Sequence, residues 1–200
     1  MSEKDNIELT SEDLEDLFLE SRLSKELDRL YEYATSKKHD FAPWMPVTGL
    51  PGSGKTSIIQ SWLKHKKVNY WYISGIRGLS KIEVEYYKDA PREPEIRLVS
   101  NEELIDLLIP KKKKVNVLFA SDEIDAVDDQ TVIVIDDYDR ASEEVRMELF
   151  KLIAFHQVVD PRANNENKIK IINPLMLVVV IDSMNTDVLN EDEKKLFLIN

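Results

Sequence analysis

The segment at residues 49–56, with sequence GLPGSGKT, constrains the fold of this chain more than any other. It fits the pattern G-x-x-x-x-G-K-[ST], in which the backbone N–H groups of a loop surround a polyphosphate. Gly52 and Gly54 can adopt backbone angles that turn consecutive N–H groups inward. The run before the loop is predicted to form a short strand, and a helix is predicted to begin near Lys55. Strand, loop and helix therefore follow in the order that the motif requires.

Individual residue types in this loop predict distinct contacts with a nucleotide. The ammonium group of Lys55 would reach the β- and γ-phosphates as a point charge, and the hydroxyl of Thr56 would ligate Mg²⁺. The helix that begins there directs its partly positive N-terminus at the same position. The predicted nucleotide-binding residues are Gly49, Leu50, Pro51, Gly52, Ser53, Gly54, Lys55, Thr56 and Ser57.

The composition is that of a soluble globular protein. The 200 residues fit one domain with a real core, and 42% of them are hydrophobic and 32% charged. The best apolar run, residues 175–181, is far too short to span a membrane, and the polar N-terminus does not read as a secretory signal. Cysteine is absent, which excludes disulfides and thiolate metal sites. We therefore expect a cytoplasmic protein with no membrane partner.

The charge distribution argues against direct binding to nucleic acid. The formal net charge is −11, whereas phosphate neutralisation drives nucleic-acid binding. Residues 41–82 contain no carboxylate but five lysines and one arginine, and this stretch surrounds the predicted phosphate loop. A chance gap in the acidic residues is one explanation; we favour a positive field left clear for a polyanion. Any contact with nucleic acid is then expected to be indirect.

The rest of the chain alternates between strand and helix patterns, which predicts a layered α/β fold. The runs at residues 131–135 and 175–181 are β-branched and apolar, and suit strands buried on both faces of a parallel sheet. A β-hairpin is predicted from residues 157–160 and 168–172, whereas residues 75–99 give no clear assignment. Further predictions are a strand at 68–73, a helical turn at 121–127, and helices capped by Ser100 and Ser142. We expect an N-terminal helical extension at residues 1–40 and an α/β domain at residues 41–200.

Two adjacent acids supply the predicted second half of the site. Asp136 follows the strand at residues 131–135, and the carboxyl end of a strand is where an open α/β sheet contacts its ligand. Asp136 would hold Mg²⁺ opposite Thr56, and Asp137 could polarise the attacking water as a general base. Aspartates after a strand often do no more than begin a turn, but their place downstream of a complete phosphate loop favours the metal site.

Three segments together resemble the AAA+ ATPases. Residues 49–56 resemble the GxPGxGKT form of the Walker A motif, and residues 132–140 (VIVIDDYDR) resemble Walker B. Residues 177–185 (LVVVIDSMN) are similar to the following strand, which in that family ends in a polar sensor 1 residue. The match covers roughly residues 41–190. The predicted hairpin is more similar to MoxR-like and related branches than to clamp loaders, and a minimal phage-type AAA ATPase is a further candidate.

This resemblance implies a P-loop NTPase fold, a three-layer αβα sandwich with a mainly parallel sheet. It implies that Lys55 and Thr56 contact phosphate and Mg²⁺, and that Asp136 holds Mg²⁺. It implies that Asn185 senses the γ-phosphate or orients water. The predicted catalytic residues are therefore Asp137, Lys55 and Asn185, and the predicted metal ligands are Thr56 and Asp136.

The chain departs from the family pattern in three places. Asp137 stands where the family usually has glutamate, so its carboxylate is one methylene shorter. The sequence ends at Asn200, so we expect no C-terminal helical lid. No arginine follows Arg162, whereas the family usually places an arginine finger near the end of the segment after sensor 1. Alternative candidates for the arginine finger are Lys194, Lys195, Arg140, Arg146 and Arg162. For each of these arginines an ordinary surface or salt-bridge role is favoured.

Three functions fit these observations. The main one is Mg²⁺-dependent ATP hydrolysis of the AAA+ type, coupled to remodelling or loading a macromolecular partner, with self-association as an alternative to a protein partner. The second is a nucleotide-dependent binding module with little intrinsic turnover, favoured by Asp137 and by the missing finger and lid. The third is a small-molecule kinase, because GxPGSGK also opens nucleoside-phosphate kinases. The prediction that the nucleotide is ATP rather than GTP rests on the resemblance alone.

Overall fold

The computed structural model describes residues 17–36, 39–74, 82–88, 93–100, 103–104, 108, 129–159 and 169–198. The predicted helical turn at residues 121–127, the tip of the predicted hairpin and Arg162 lie outside these residues.

The described residues contain both helices and strands. The helices are α1 (Arg22–Ser36), α2 (Lys55–Lys66), α3 (Glu143–Phe155) and α4 (Glu191–Phe197). The strands are β1 (Trp44–Gly49), β2 (Asn69–Ser74), β3 (Ile82–Tyr87), β4 (Glu95–Val99), β5 (Thr131–Asp136), β6 (Gln157–Val159), β7 (Ile169–Ile171) and β8 (Met176–Asp182). Two 3₁₀ turns, Tyr138–Arg140 and Thr186–Val188, follow β5 and β8 respectively.

Six strands form one sheet in the order β1-β8-β5-β2-β3-β4. The pairs β1–β8, β8–β5 and β5–β2 are parallel, and the pairs β2–β3 and β3–β4 are antiparallel. Gly49 is in register with Asp182, and Ser74 with Asp136, so the carboxyl ends of the four parallel strands lie at one edge of the sheet. The predicted α/β fold with a mainly parallel sheet is confirmed.

Helices cover both faces of this sheet. On one face α1 and α2 contribute Leu27, Ile59 and Trp62 to a core shared with Val132 and Val178. On the other face α3 and α4 contribute Leu149, Leu152, Ile153 and Phe197, which pack over Ile133 and Leu177. Every residue of β5 and β8 is buried, because these strands lie between the two helical layers. This is the expected three-layer αβα sandwich.

Helix α1 is held to α2 by polar as well as apolar contacts. Leu27 is fully buried, and the indole of Trp62 donates a hydrogen bond to Asp28 at 2.9 Å. Lys66 forms an ion pair with the same carboxylate at 2.7 Å. Burial raises the pKa of Asp28, but these contacts with Lys66 and Trp62 outweigh it and hold the pKa below its usual value. The division of the chain at residue 40 stays a prediction.

Two antiparallel strands, β3 and β4, lie in the region that the sequence left unassigned. Gly75, Gly78, Pro91 and Pro94 interrupt this region and concealed the alternation of buried Ile82 and Val84 with acidic residues in β3. The strands of the predicted hairpin are confirmed as β6 and β7, which pair antiparallel in a separate two-stranded sheet. Across the described ranges, none of the helices combines the length and apolar character needed to cross a bilayer.

Candidate functional site

The loop at residues 49–56 joins β1 to α2 and has the geometry of an anion-binding turn. Gly52 and Gly54 have φ values of 74° and 83°, in the left-handed region that favours glycine. Gly54 is the N-cap of α2 and has no side chain to cap the first N–H groups of the helix. These N–H groups, together with the helix dipole, therefore favour an anion at the loop.

The side chain of Lys55 folds back over the loop. Its Nζ donates hydrogen bonds to the carbonyl oxygens of Gly49 and Leu50, both at 2.8 Å, and lies 3.4 Å from Ser53 Oγ. The ammonium group is therefore held at the mouth of the loop by neutral acceptors. Charged phosphate oxygens form stronger bonds with ammonium than such neutral acceptors do.

Asp136 is the point at which several elements meet. Thr56 Oγ1, on α2, donates to Asp136 Oδ2 at 2.8 Å, and the Tyr72 hydroxyl, on β2, donates to the same oxygen. The backbone N–H of Asp137 donates to the other oxygen, Oδ1, at 2.9 Å. Burial, with the neighbouring Asp136 charge, raises the pKa of Tyr72, so its hydroxyl keeps the proton that it donates.

Arg140 links two carboxylates across the end of the sheet. Its Nε lies 3.5 Å from Asp137 Oδ1, and its Nη2 lies 3.4 Å from Asp182 Oδ2. The Arg140 side chain is 19% exposed, that of Asp137 is 35% exposed and that of Asp182 only 6%. Asp137 adopts a left-handed backbone conformation with φ of 51°, which aspartate tolerates better than most residues.

Asn185 lies just after β8 and bonds to a neighbouring acid. Its Nδ2 donates to Asp139 Oδ2 at 3.0 Å, while Asp139 Oδ1 accepts a bond from the backbone N–H of Asp182 at 2.9 Å. Asp139 thus ties the turn after β5 to the end of β8. The sensing role of Asn185 stays a prediction.

A cleft of about 370 Å³ brings most of the predicted residues together. It is lined by Pro51, Gly52, Ser53, Gly54, Lys55, Thr56, Ser57, Asp136, Asp137, Arg140, Val180 and Asp182. Of the predicted site residues, all of which the structure describes, Gly49, Leu50 and Asn185 are outside this lining. Gly49 and Leu50 act instead through their carbonyl groups on Lys55.

A larger cavity of about 750 Å³ lies at the amino ends of the parallel strands, between residues such as Asn69, Gln130 and Leu175. It contains none of the predicted site residues. Of these two cavities in the described part of the chain, the smaller cleft is the candidate functional site, because it joins the anion-binding turn to the buried carboxylate.

Sequence reasoning missed the site contacts of Tyr72, Arg140 and Asp182. Asp182 follows the buried run of β8 as Asp136 follows that of β5, so the same pattern could have identified it. Arg140 lies within the Walker B segment, but the sequence predicts for it either a finger role or an ordinary surface or salt-bridge role, not a place in this cleft. Nothing in the sequence near Tyr72 indicates that it contacts Asp136, 64 positions away.

The candidate arginine fingers that the structure describes make internal ion pairs. Arg140 pairs with Asp137 and Asp182, and Arg146 is buried with its Nε 3.2 Å from Glu193 Oε1. The sequence-based preference for salt-bridge roles fits both arginines. Lys194 and Lys195 form surface pairs within α4.

The side-chain oxygens of Thr56 and Asp136 are suitable ligands for Mg²⁺. A hydroxyl and a carboxylate are hard oxygen ligands, and Mg²⁺ is commonly held by one or two such side chains together with substrate phosphates. The two side chains are already within hydrogen-bonding distance of each other, at the edge of a cleft lined by the anion-binding turn. A cation at this position would neutralise phosphate charge.

Comparison with known proteins identifies the family. The model of the ATPase family associated with various cellular activities (AAA) matches residues 45–180, which include the phosphate loop, Asp136 and Asp137. This chain therefore belongs to the AAA family of P-loop ATPases. No curated protein matches it in sequence.

Solved structures of similar fold are distant in sequence. A variant of RuvB from Thermotoga maritima is 15% identical, with a TM-score of 0.45; the similarity covers 89% of this chain and 43% of that one. NtrX from Brucella abortus in complex with ADP is 10% identical, with a TM-score of 0.43; the similarity covers 95% of this chain and 35% of that one. The chain thus spans less than half the length of either protein.

Proposed function

We propose that this chain binds ATP with Mg²⁺ in the cleft, hydrolyses it, and couples binding and hydrolysis to remodelling or loading a macromolecular partner. The observation that carries the proposal is the 2.8 Å hydrogen bond between Thr56 and Asp136, which joins the two halves of the site across 80 positions of sequence. The partner would be another protein or a second copy of this chain.

The phosphate loop and Lys55 would bind the polyphosphate. The N–H groups around Gly52, Gly54 and the start of α2 supply neutral donors, and Lys55 supplies the charge. On binding, the Lys55 ammonium would exchange the carbonyls of Gly49 and Leu50 for phosphate oxygens. Because both kinds of contact converge on one small volume, binding would favour polyphosphates over monophosphates.

Asp137 would accept the proton of the attacking water. Its carboxylate lines the cleft and lies next to the buried Asp136. Thr56 and Asp136 would hold Mg²⁺, which would supply positive charge to offset the negative charge of the γ-phosphate and of the ADP leaving group. Arg140 would limit repulsion between the bound phosphates and the carboxylates of Asp137 and Asp182.

A second candidate function is a nucleotide-dependent binding module with little turnover. The ion pair between Arg140 and Asp137 favours it, because the guanidinium occupies the carboxylate that would have to accept the proton of the attacking water. The shorter side chain of aspartate, relative to the family's glutamate, acts in the same direction. Tight ATP binding with turnover only after a partner is added would support this second function over the first.

Binding of a fluorescent ATP analogue and phosphate release would test both functions. We expect Lys55→Ala to weaken binding at least tenfold and to abolish phosphate release, because the loop loses its only side-chain cation. Lys64→Ala, which removes an exposed lysine from the same helix, should leave both unchanged. Equal binding and equal phosphate release by wild type and Lys55→Ala would contradict the proposal.

A further inference from the structure

Tyr72 makes a contact at the site that core packing does not explain. It lies on β2, its side chain is packed among the core residues beneath α1 and α2, and it is only 5% exposed. Its hydroxyl does not face another core group but donates to Asp136 Oδ2. A phenylalanine would fill the same volume, so packing alone does not account for the hydroxyl.

The hydrogen bonds of Asp136 leave little freedom to its carboxylate. Oδ2 accepts from Thr56 and from Tyr72, and Oδ1 accepts from the N–H of Asp137. An ionised carboxylate has about four acceptor positions, so three donors fix its rotation and leave about one position open. The open position is available to a cation or to water bound to a cation.

We infer that Tyr72 is a positioning residue for Mg²⁺ with ATP: its hydroxyl holds the Asp136 carboxylate in the orientation that serves the cation together with Thr56. The inference rests on the proposed function of the cleft. Partners that orient a metal ligand through a second hydrogen bond typically change metal affinity by about 10–100-fold when removed. Tyr72 meets this description because it touches Asp136 and is absent from the residues that line the cleft.

Tyr70 provides a matched control. It lies two positions earlier on the same strand and in the same core layer, and it is 3% exposed. Its hydroxyl also donates to a carboxylate, that of Glu85 on β3, at 2.5 Å. Tyr70→Phe therefore removes the same kind of bond from the same strand without touching Asp136.

The test measures ATP affinity as a function of free Mg²⁺, with a fluorescent ATP analogue as the probe. For Tyr72→Phe we expect the Mg²⁺ concentration that gives half of the enhancement of ATP binding to rise about tenfold or more. ATP affinity in excess chelator should remain within about twofold of wild type, because the phosphate loop is unchanged. Tyr70→Phe should match wild type under both conditions.

Two outcomes would overturn the inference while leaving the proposed function intact. One is a Tyr72→Phe variant that requires the same Mg²⁺ concentration as wild type. The other is an equal rise in the required Mg²⁺ concentration in Tyr72→Phe and Tyr70→Phe, which would indicate a general loosening of β2. Wild type that fails to bind ATP with or without Mg²⁺ would instead overturn the proposed function, and the inference with it.

A second measurement avoids dependence on the folding of the Tyr72→Phe variant. Fluorotyrosine at position 72 in the otherwise native chain reports on the hydroxyl through its ¹⁹F resonance. We expect that resonance to shift when Mg²⁺ is added to the ATP complex, and the corresponding resonance at position 70 to stay in place. Absence of a shift at position 72 would overturn the inference.

Discussion

At the scale of single residues, the cleft combines two cations with three carboxylates. Lys55 and Arg140 face Asp136, Asp137 and Asp182, all of which line the same volume. Asp136 is buried and accepts three hydrogen bonds, whereas Asp137 is more exposed and pairs with Arg140. The two adjacent aspartates therefore have different surroundings, which suits different roles for them.

Arg140→Gln tests the charge balance of the cleft. Removing the guanidinium leaves Asp137 and Asp182 without this counter-charge, and we expect affinity for ATP to fall about tenfold at low salt. The loss should be smaller for ADP, which carries less negative charge, and smaller for both nucleotides at high salt. Equilibrium binding of ATP and ADP at two salt concentrations measures these effects. Equal affinity of the variant and wild type for ATP at low salt would show that Arg140 does not contribute.

At the scale of elements, the end of α3 depends on one buried histidine. His156 is the C-cap of α3, with φ of 55°, and its Nε2 lies 3.2 Å from the carbonyl oxygen of Ala42, just before β1. Burial lowers the pKa of His156, and the hydrogen bond to Ala42 offsets this only in part. The folded protein therefore holds the ring neutral below the pH at which the unfolded chain would protonate it.

This lowered pKa predicts a loss of stability in mild acid. Above about pH 6.5 the ring is neutral in both states, so His156 causes no pH dependence there. As the pH falls below that value, the unfolded chain binds a proton that the fold resists, and the free energy of unfolding decreases until the folded pKa is passed. We expect His156→Asn, which tolerates the left-handed backbone, to make this decrease shallower between pH 6.5 and 5.

Urea unfolding at several pH values measures this effect. His65→Gln changes an exposed histidine on α2 and serves as the control. If His156→Asn loses stability with falling pH as steeply as wild type, the acid sensitivity arises elsewhere in the fold.

At the scale of the whole molecule, a buried polar network joins the turn after β5 to α3 and α4. The Tyr138 hydroxyl donates to Glu193 Oε1 at 2.7 Å, and Arg146 contacts the same oxygen. Arg146 also donates to the carbonyls of Ala141 and Val188, at 3.0 and 2.8 Å. The network lies directly behind the segment that carries Asp137, so it supports the acidic side of the cleft.

Removing both members of the Arg146–Glu193 ion pair should cost less stability than the sum of the two single removals. We expect Arg146→Met to lower the free energy of unfolding by about 3–5 kcal/mol, because it leaves the buried Glu193 without its counter-charge. The double variant Arg146→Met/Glu193→Leu should lose clearly less than the sum of the two single losses. Chemical denaturation of the two single variants and of the double variant measures the three losses in the free energy of unfolding.

The surface ion pair between Lys194 and Glu191 on α4 serves as the control for this set of single and double substitutions. The losses in the free energy of unfolding caused by the two single substitutions should sum to the loss caused by the double substitution within about 0.5 kcal/mol, because exposed pairs contribute little. Additive losses at Arg146 and Glu193 would show that these two side chains are not energetically coupled.

Local patterns were sufficient to predict several parts of this protein. The phosphate loop depends on glycines and on the residues beside them, so its conformation follows from short-range geometry. The burial of β5 and β8 follows from unbroken β-branched runs, because only a covered sheet hides such runs from water. Asp136 and Asp137, predicted at the carboxyl end of β5, line the same cleft as the phosphate loop, whereas Asp182 at the end of β8 was not predicted.

Other features depended on the order of strands, which no local pattern encodes. Strand β2 lies beside β5, and this neighbourhood alone brings the Tyr72 hydroxyl to Asp136. The turn after β5 lies beside the end of β8, which lets Arg140 bridge Asp137 and Asp182. The sequence by itself determined the residue types and the local turn on which the predicted phosphate and Mg²⁺ contacts depend. Only the tertiary structure decided which side chains contact and orient these residues, because such partners meet through the pairing of strands that are distant in sequence.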